Sequence, residues 1–180
     1  MDIPIRFKIY LFWKNLFSKK EDSPHIKITK EGRGVRSVLF FLPEKKEDAK
    51  VINYFVKVEN PLPDYEIGLV CSDKSKSFYP HVENVSLFTY NDNDLNYFNT
   101  IKSVSLLKEI KIKNYDAIVD LNTNFCAASS MLFFDLDAPL KIGFDSLINR
   151  KIYTITIERK EDAFLENYFS RILSLLGVKF

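Results

Sequence analysis

The chain has 180 residues, with 26 Lys and Arg against 24 Asp and Glu for a formal charge of +2, and 46% of it is hydrophobic. That length makes one domain, or one domain with an appendage, and that apolar share is enough for a real core. The near-neutral balance argues against a nucleic-acid partner, two Cys and two His give no metal spacing or disulfide framework, and no apolar run approaches the roughly 20 residues of a membrane span.

Residues 1–20 stand apart from the rest. Ile5, Ile9, Phe12, Trp13 and Leu16 recur at helical spacing, Arg6, Lys8, Lys14, Lys19 and Lys20 surround them, and Asp2 is the only acid. The pattern predicts a short basic amphipathic helix over residues 3–18. Its apolar face fits the headgroup region of an anionic membrane, with Arg6, Lys8, Phe12, Trp13 and Lys14 as candidate contacts. The same face would also suit packing on the domain or on a partner. Residues 21–34 read as a polar linker, because Asp22-Ser23-Pro24 breaks the helix and Gly32-Arg33-Gly34 is flexible. Within it, His25–Thr29 alternates like a short edge strand.

From residue 35 the pattern changes. Val35–Leu42 is an apolar run of strand length, charged only at Arg36, which predicts a strand buried on both faces. Glu44–Lys50 is a charged turn and helix start, and Ala49, Ile52, Phe55 and Val56 continue it until Asn60-Pro61 stops it. Tyr65–Cys71 is the second strand, and strand, helix and strand together form a right-handed βαβ unit. Val85–Tyr90 is the third. Asn91–Asp94 reads as a cap for a helix carrying Leu95, Phe98, Ile101, Val104 and Leu107. Ala117–Leu121 is the fourth strand, Ala127–Phe134 a compact helix, Leu140–Phe144 the fifth strand and Ile152–Ile157 the sixth. Phe164–Leu176 closes as an amphipathic helix that Gly177 caps. The expected fold class is α/β, a Rossmann-like doubly wound and mainly parallel sheet over residues 35–180, with core strands Val38–Leu42, Ile67–Val70, Ala117–Leu121 and Leu140–Gly143.

The candidate sites follow from that architecture. Asp120, Asn122 and Asn124 fall at the carboxyl end of a central strand, where α/β sheets bind ligands; the competing reading is an Asx-rich turn capping the next helix. His81, Cys71 and Cys126 suggest no catalytic pairing. No glycine-rich phosphate loop occurs, so no cofactor and no metal are expected.

Tyr115-Asp116-Ala117-Ile118-Val119-Asp120-Leu121-Asn122, Ala138-Pro139-Leu140-Lys141-Ile142-Gly143-Phe144 and Glu166-Asn167-Tyr168 running into Leu175-Leu176-Gly177 follow one another in an order that resembles the N-terminal domain of a family 9, heptosyltransferase-like glycosyltransferase. The resemblance covers about residues 35–180 and implies one half of a GT-B type fold. It implies that a Gly-Asp pair opens the first helix, with the aspartate as the base activating the acceptor hydroxyl. The matching positions are Glu47-Asp48, so the aspartate is kept and the glycine is not. Glu44–Lys50 equally reads as a solvated helix start with acids at its favourable end.

In that family the sugar nucleotide sits mainly on a second domain. The leading expectation is therefore a non-catalytic binding or scaffold relative, linked to lipopolysaccharide or cell-surface glycan synthesis. The alternatives are an acceptor-binding half completed by a partner chain, and a small-molecule binder using the strand-end crevice. A protein partner or homo-oligomer is expected, through Phe164–Phe180 among other surfaces. The expected location is cytoplasmic, with peripheral contact at the inner membrane.

Overall fold

The computed structural model describes residues 4–17, 35–56, 65–79, 85–159 and 164–176. The expected linker 21–34, Lys19, Lys20, His81 and the tail Gly177–Phe180 lie outside the described residues.

The strands are β1 Ser37–Phe41, β2 Glu66–Ser72, β3 Val85–Tyr90, β4 Ala117–Asp120, β5 Leu140–Phe144 and β6 Ile155–Ile157. The helices are α1 Ile5–Phe17, α2 Lys46–Val56, α3 Val104–Ile112, α4 Ala127–Asp135, α5 Asn149–Ile152 and α6 Leu165–Leu176. The strands form one sheet in the order β3-β2-β1-β4-β5-β6, with every neighbouring pair parallel. This is the expected Rossmann-like, doubly wound α/β architecture. The chain reverses its direction of travel across the sheet between β1 and β4.

Alternation along β1 divides the core between two faces. Val38 and Phe40 join Ala49 and Ile52 of α2 and Phe169, Ile172 and Leu176 of α6. Leu39 and Phe41 join Leu106 and Ile110 of α3 and Leu132 and Phe133 of α4. All four β1 residues are at most 2% exposed, so the run is apolar at every position and not at alternate ones. Asp116 fastens the start of β1 to that of β4. Its Oδ2 accepts from the backbone N–H groups of Arg36 at 2.8 Å and Ser37 at 3.0 Å.

α4 is buried from Ala128 through Phe133 because it is covered twice. Leu132 and Phe133 meet the sheet, while Met131 meets Phe7 of α1 and Ile148 before α5. α1 rests on the domain by a stripe of Phe7 and Tyr10. Phe7 is 1% exposed and edge-on to Phe125, with ring centroids 4.8 Å apart. Tyr10 stacks on Phe98 at 5.0 Å, and the Arg6 guanidinium lies 5.0 Å over the Tyr97 ring.

The helix expected from Leu95 onward begins only at Val104. Local hydrogen bonds win over the helix in between. The Asn96 side-chain oxygen accepts from the Phe98 and Thr100 N–H groups, and its amide donates to the Thr100 hydroxyl at 2.7 Å. Asn99 takes a left-handed conformation at φ 59°, and Leu95 and Ile101 bridge antiparallel across the turn. The Asn91 cap is real, but it serves a single 3-10 turn at Asp92–Asp94. Ile152, expected in the sixth strand, ends the short α5 instead.

Candidate functional site

Two loops flank the crevice where β1 and β4 part. The loop after β1, Pro43–Lys45, leads into α2, and that after β4, Leu121–Cys126, leads into α4. The candidate base and the candidate ligand-binding turn meet here. Thr123 donates its hydroxyl to the Asp48 carboxylate at 2.5 Å, across 75 positions of sequence. Asp48 is 8% exposed, in the first turn of α2, while Lys45, Lys46 and Glu47 beside it are exposed.

The loop after β1 is pinned at further points. The Tyr79 hydroxyl donates to the Pro43 carbonyl at 2.6 Å, and the Tyr90 hydroxyl to Glu44 Oε1 at 3.3 Å. Burial pushes both phenols above their ordinary range, so they remain donors. Small residues and glycine are not what shapes this loop; two aromatic side chains hold it, Tyr79 from the segment after β2 and Tyr90 from the end of β3.

Asp120 is a hub inside the domain. It accepts hydrogen bonds from the Asn122 N–H at 2.9 Å, the Asn122 amide at 2.7 Å, the Ser129 hydroxyl at 2.7 Å and the Tyr153 hydroxyl at 2.6 Å. Burial raises its pKa above the ordinary 3.8, against the pull of those bonds. Tyr153 is raised as well, by burial first and by the Asp120 charge second. The Asx turn at Asp120–Asn122 is thus present, and Asn124 is exposed beyond it. Tyr153 reaches Asp120 because Gly143 lies under its ring, where a Cβ would collide with it.

A cavity of about 480 Å³ opens at the carboxyl ends of the strands. Its apolar wall includes Phe7, Leu95, Phe98 and Phe125, and its polar rim Arg6, Glu44, Lys74, Asp92 and Asn99. Lys74 and Asp92 pair at 2.6 Å on the rim. Cys126 also lines the cavity, and burial pushes its thiol up, followed by the Asp120 charge. Asp48, Asp120, Asn122 and Asn124 do not line it.

Of the expected α1 contacts, Arg6 lies on the cavity rim and over Tyr97. Lys8 is exposed, and Phe12 and Trp13 are 65% and 57% exposed. The Lys14 side chain is outside the described part. Among the described residues, no group of three or more His, Cys, Asp and Glu is placed to hold a metal, and no helix is long and apolar enough to cross a membrane.

Sequence reasoning missed Thr123, Tyr153 and Phe7. The first two work through partners far along the chain, which no local pattern reveals. Phe7 left a signal: with Tyr10 it forms an i, i+3 pair beside the more obvious stripe.

No family model matches the chain, and no curated protein sequence does. Solved structures do match it. A family 9 glycosyl transferase from Veillonella parvula aligns at a TM-score of 0.58 and 16% identity, over 88% of this chain and 44% of its own. The E. coli heptosyltransferase WaaC with ADP-2-deoxy-2-fluoro heptose aligns at 0.51 and 12% identity, over 79% of this chain and 49% of its own. WaaC with ADP aligns at 0.50 and 13% identity, over 79% and 48%. The chain spans less than half the length of each of these structures. In fold, it is similar to one Rossmann-like half of a family 9, GT-B type glycosyltransferase.

Proposed function

We propose that this domain is a non-catalytic, glycosyltransferase-like binding or scaffold module, linked to lipopolysaccharide or other cell-surface glycan synthesis. The observation that carries this reading is the state of Asp48. A general base needs its accepting oxygen within hydrogen-bond reach of a held substrate. The Asp48 carboxylate is largely buried, bonded to Thr123, and apart from the cavity. The loop that leads into its helix is tied down by Tyr79 and Tyr90, and Glu47 stands where the resembled family has glycine. The cavity lining supplies what binding would use: apolar side chains for the apolar faces of a sugar, and carboxylates, an amide and cations for its hydroxyls.

The test pairs turnover with binding. The purified chain, given nucleotide-heptose or nucleotide-hexose donors and core-type oligosaccharide acceptors, should give no transfer. Oligosaccharide binding should be measurable by calorimetry and should be unchanged in Asp48→Asn. Transfer that is lost in Asp48→Asn would overturn the non-catalytic reading.

A second reading is favoured by position. Asp48 lies at the β1–β4 switch point, where this fold class places ligands. In that reading the chain is the acceptor-binding half of a split enzyme, and a partner chain supplies the donor domain. Transfer that appears only on adding a nucleotide-binding partner, and that needs Asp48, would support it.

A further inference from the structure

The domain settles which way α1 faces. Its inner stripe is anchored by Phe7 at 1% exposure and by Tyr10 stacked on Phe98. That anchoring leaves the larger apolar stripe outward: Ile5 is 73% exposed, Ile9 54%, Phe12 65% and Trp13 57%. Among the described residues, Ile5, Ile9 and Phe12 belong to none of the core clusters. Large exposed apolar residues also flank the helix. Tyr97, 76% exposed, lies beneath Arg6, and Leu147, 80% exposed, precedes the Ile148 that packs with Phe7. An apolar surface concentrated around one helix marks a docking site.

Charge selects the occupant. Within residues 1–20 the bases are Arg6, Lys8, Lys14, Lys19 and Lys20, and the only acid is Asp2. Arg6 and Lys8 are exposed on α1 itself. A protein partner or a second copy would need only the apolar stripe. A stripe flanked by cations of one sign matches a surface that is apolar below and anionic above, which is a bilayer rich in acidic lipids. The helix has 13 residues, so it is about 20 Å long and would lie in the plane of the interface, not across it. We propose that α1 is a peripheral membrane-docking element, that Ile5, Ile9, Phe12 and Trp13 enter the headgroup boundary, and that Arg6 and Lys8 meet anionic headgroups. Docking is weak and reversible, because one short helix buries little area and salt screens its charges. The proposal stands whether or not the domain binds sugars.

Trp13 is the one tryptophan of the chain, so intrinsic fluorescence reports on α1 alone. The intact 180-residue chain is titrated with phosphatidylglycerol/phosphatidylcholine vesicles and with phosphatidylcholine vesicles, and the same samples are floated. The expected result is a blue shift and co-flotation with the anionic vesicles only, both fading as salt shortens the Debye length below about 10 Å. Ile9→Glu and Phe12→Glu, at exposed positions that leave the Phe7 anchor intact, should each weaken binding about tenfold or more, as expected for burying a charge in the interface. Arg6→Gln with Lys8→Gln should flatten the salt dependence. No shift with either vesicle, or equal binding to both, overturns the proposal. So does a concentration-dependent dimer that Phe12→Glu dissolves, which would make a second copy the occupant.

Discussion

The Tyr153 hydroxyl donates to the buried Asp120 carboxylate at 2.6 Å, and so ties the segment before β6 to the end of β4. The contact needs the bare backbone of Gly143 beneath the ring. Tyr153→Phe should cost about 1–3 kcal/mol, since a bond to a charged or strongly polarised acceptor is lost. Gly143→Ala should cost a similar amount, about 1–3 kcal/mol, by forcing the ring off the strand. Because both act on one network, the double variant should cost less than the sum. Urea unfolding of the four proteins measures this directly.

Asp120 should also give stability a pH signature. Its folded pKa is raised by burial, so the folded state holds the proton more tightly than the unfolded chain does. The stabilisation from this site is fully present below the ordinary carboxylate value of 3.8 and is lost as pH rises through the raised folded value. Asp120→Asn should flatten that slope above pH 3.8, measured as the difference in unfolding free energy between variant and parent across the pH range.

Thr123→Val keeps the volume and removes the donor to Asp48. Loss of about 1–2 kcal/mol is expected, because a largely buried carboxylate is left with one partner fewer. Greater backbone exchange should follow in the Pro43–Asp48 segment, and hydrogen exchange followed by mass spectrometry would detect it.

Fold and site were legible to different degrees. Val38–Phe41, Ile67–Cys71 and Ala117–Val119 announce buried parallel strands, because residues covered on both faces are apolar at consecutive positions. Leu95, Phe98 and Ile101 keep helical spacing by accident. Their backbone is decided by Asn96 and Asn99, whose side-chain bonds and left-handed geometry outweigh periodicity. The site depends on pairs such as Asp48 with Thr123 and Tyr153 with Asp120. Residues that meet only after the sheet has formed leave no trace in local spacing.

Tyr115 offers a prediction with the opposite sign. Its hydroxyl is buried beside Gly68 and has no hydrogen-bond partner among the described residues. Tyr115→Phe removes a polar atom that gains nothing from burial. It should leave stability unchanged or raise it by up to about 1 kcal/mol, whereas a typical buried tyrosine loses stability on the same change. The melting temperature is the readout.

Cys71 should resist alkylation in the folded protein. It is fully buried, and burial raises its thiol to about 11, which leaves almost no thiolate at neutral pH. Iodoacetamide should label it only at the rate of unfolding, so labelling should speed up in denaturant and match the unfolding kinetics.

The central place of β1 has a consequence for biosynthesis. Among the described residues β1 is the earliest strand in chain order, yet it is completed by β4, whose Ala117 pairs with Val38 from 79 positions later. At about 5–20 residues per second, a ribosome needs roughly 4–16 s to cover that interval. Throughout it the uncharged Val38-Leu39-Phe40-Phe41 segment emerges without one of its two neighbours, in the form most prone to sticking to another nascent chain. Shielding of this segment during synthesis should therefore raise the soluble yield of the protein in cells, and slowed elongation should lower it.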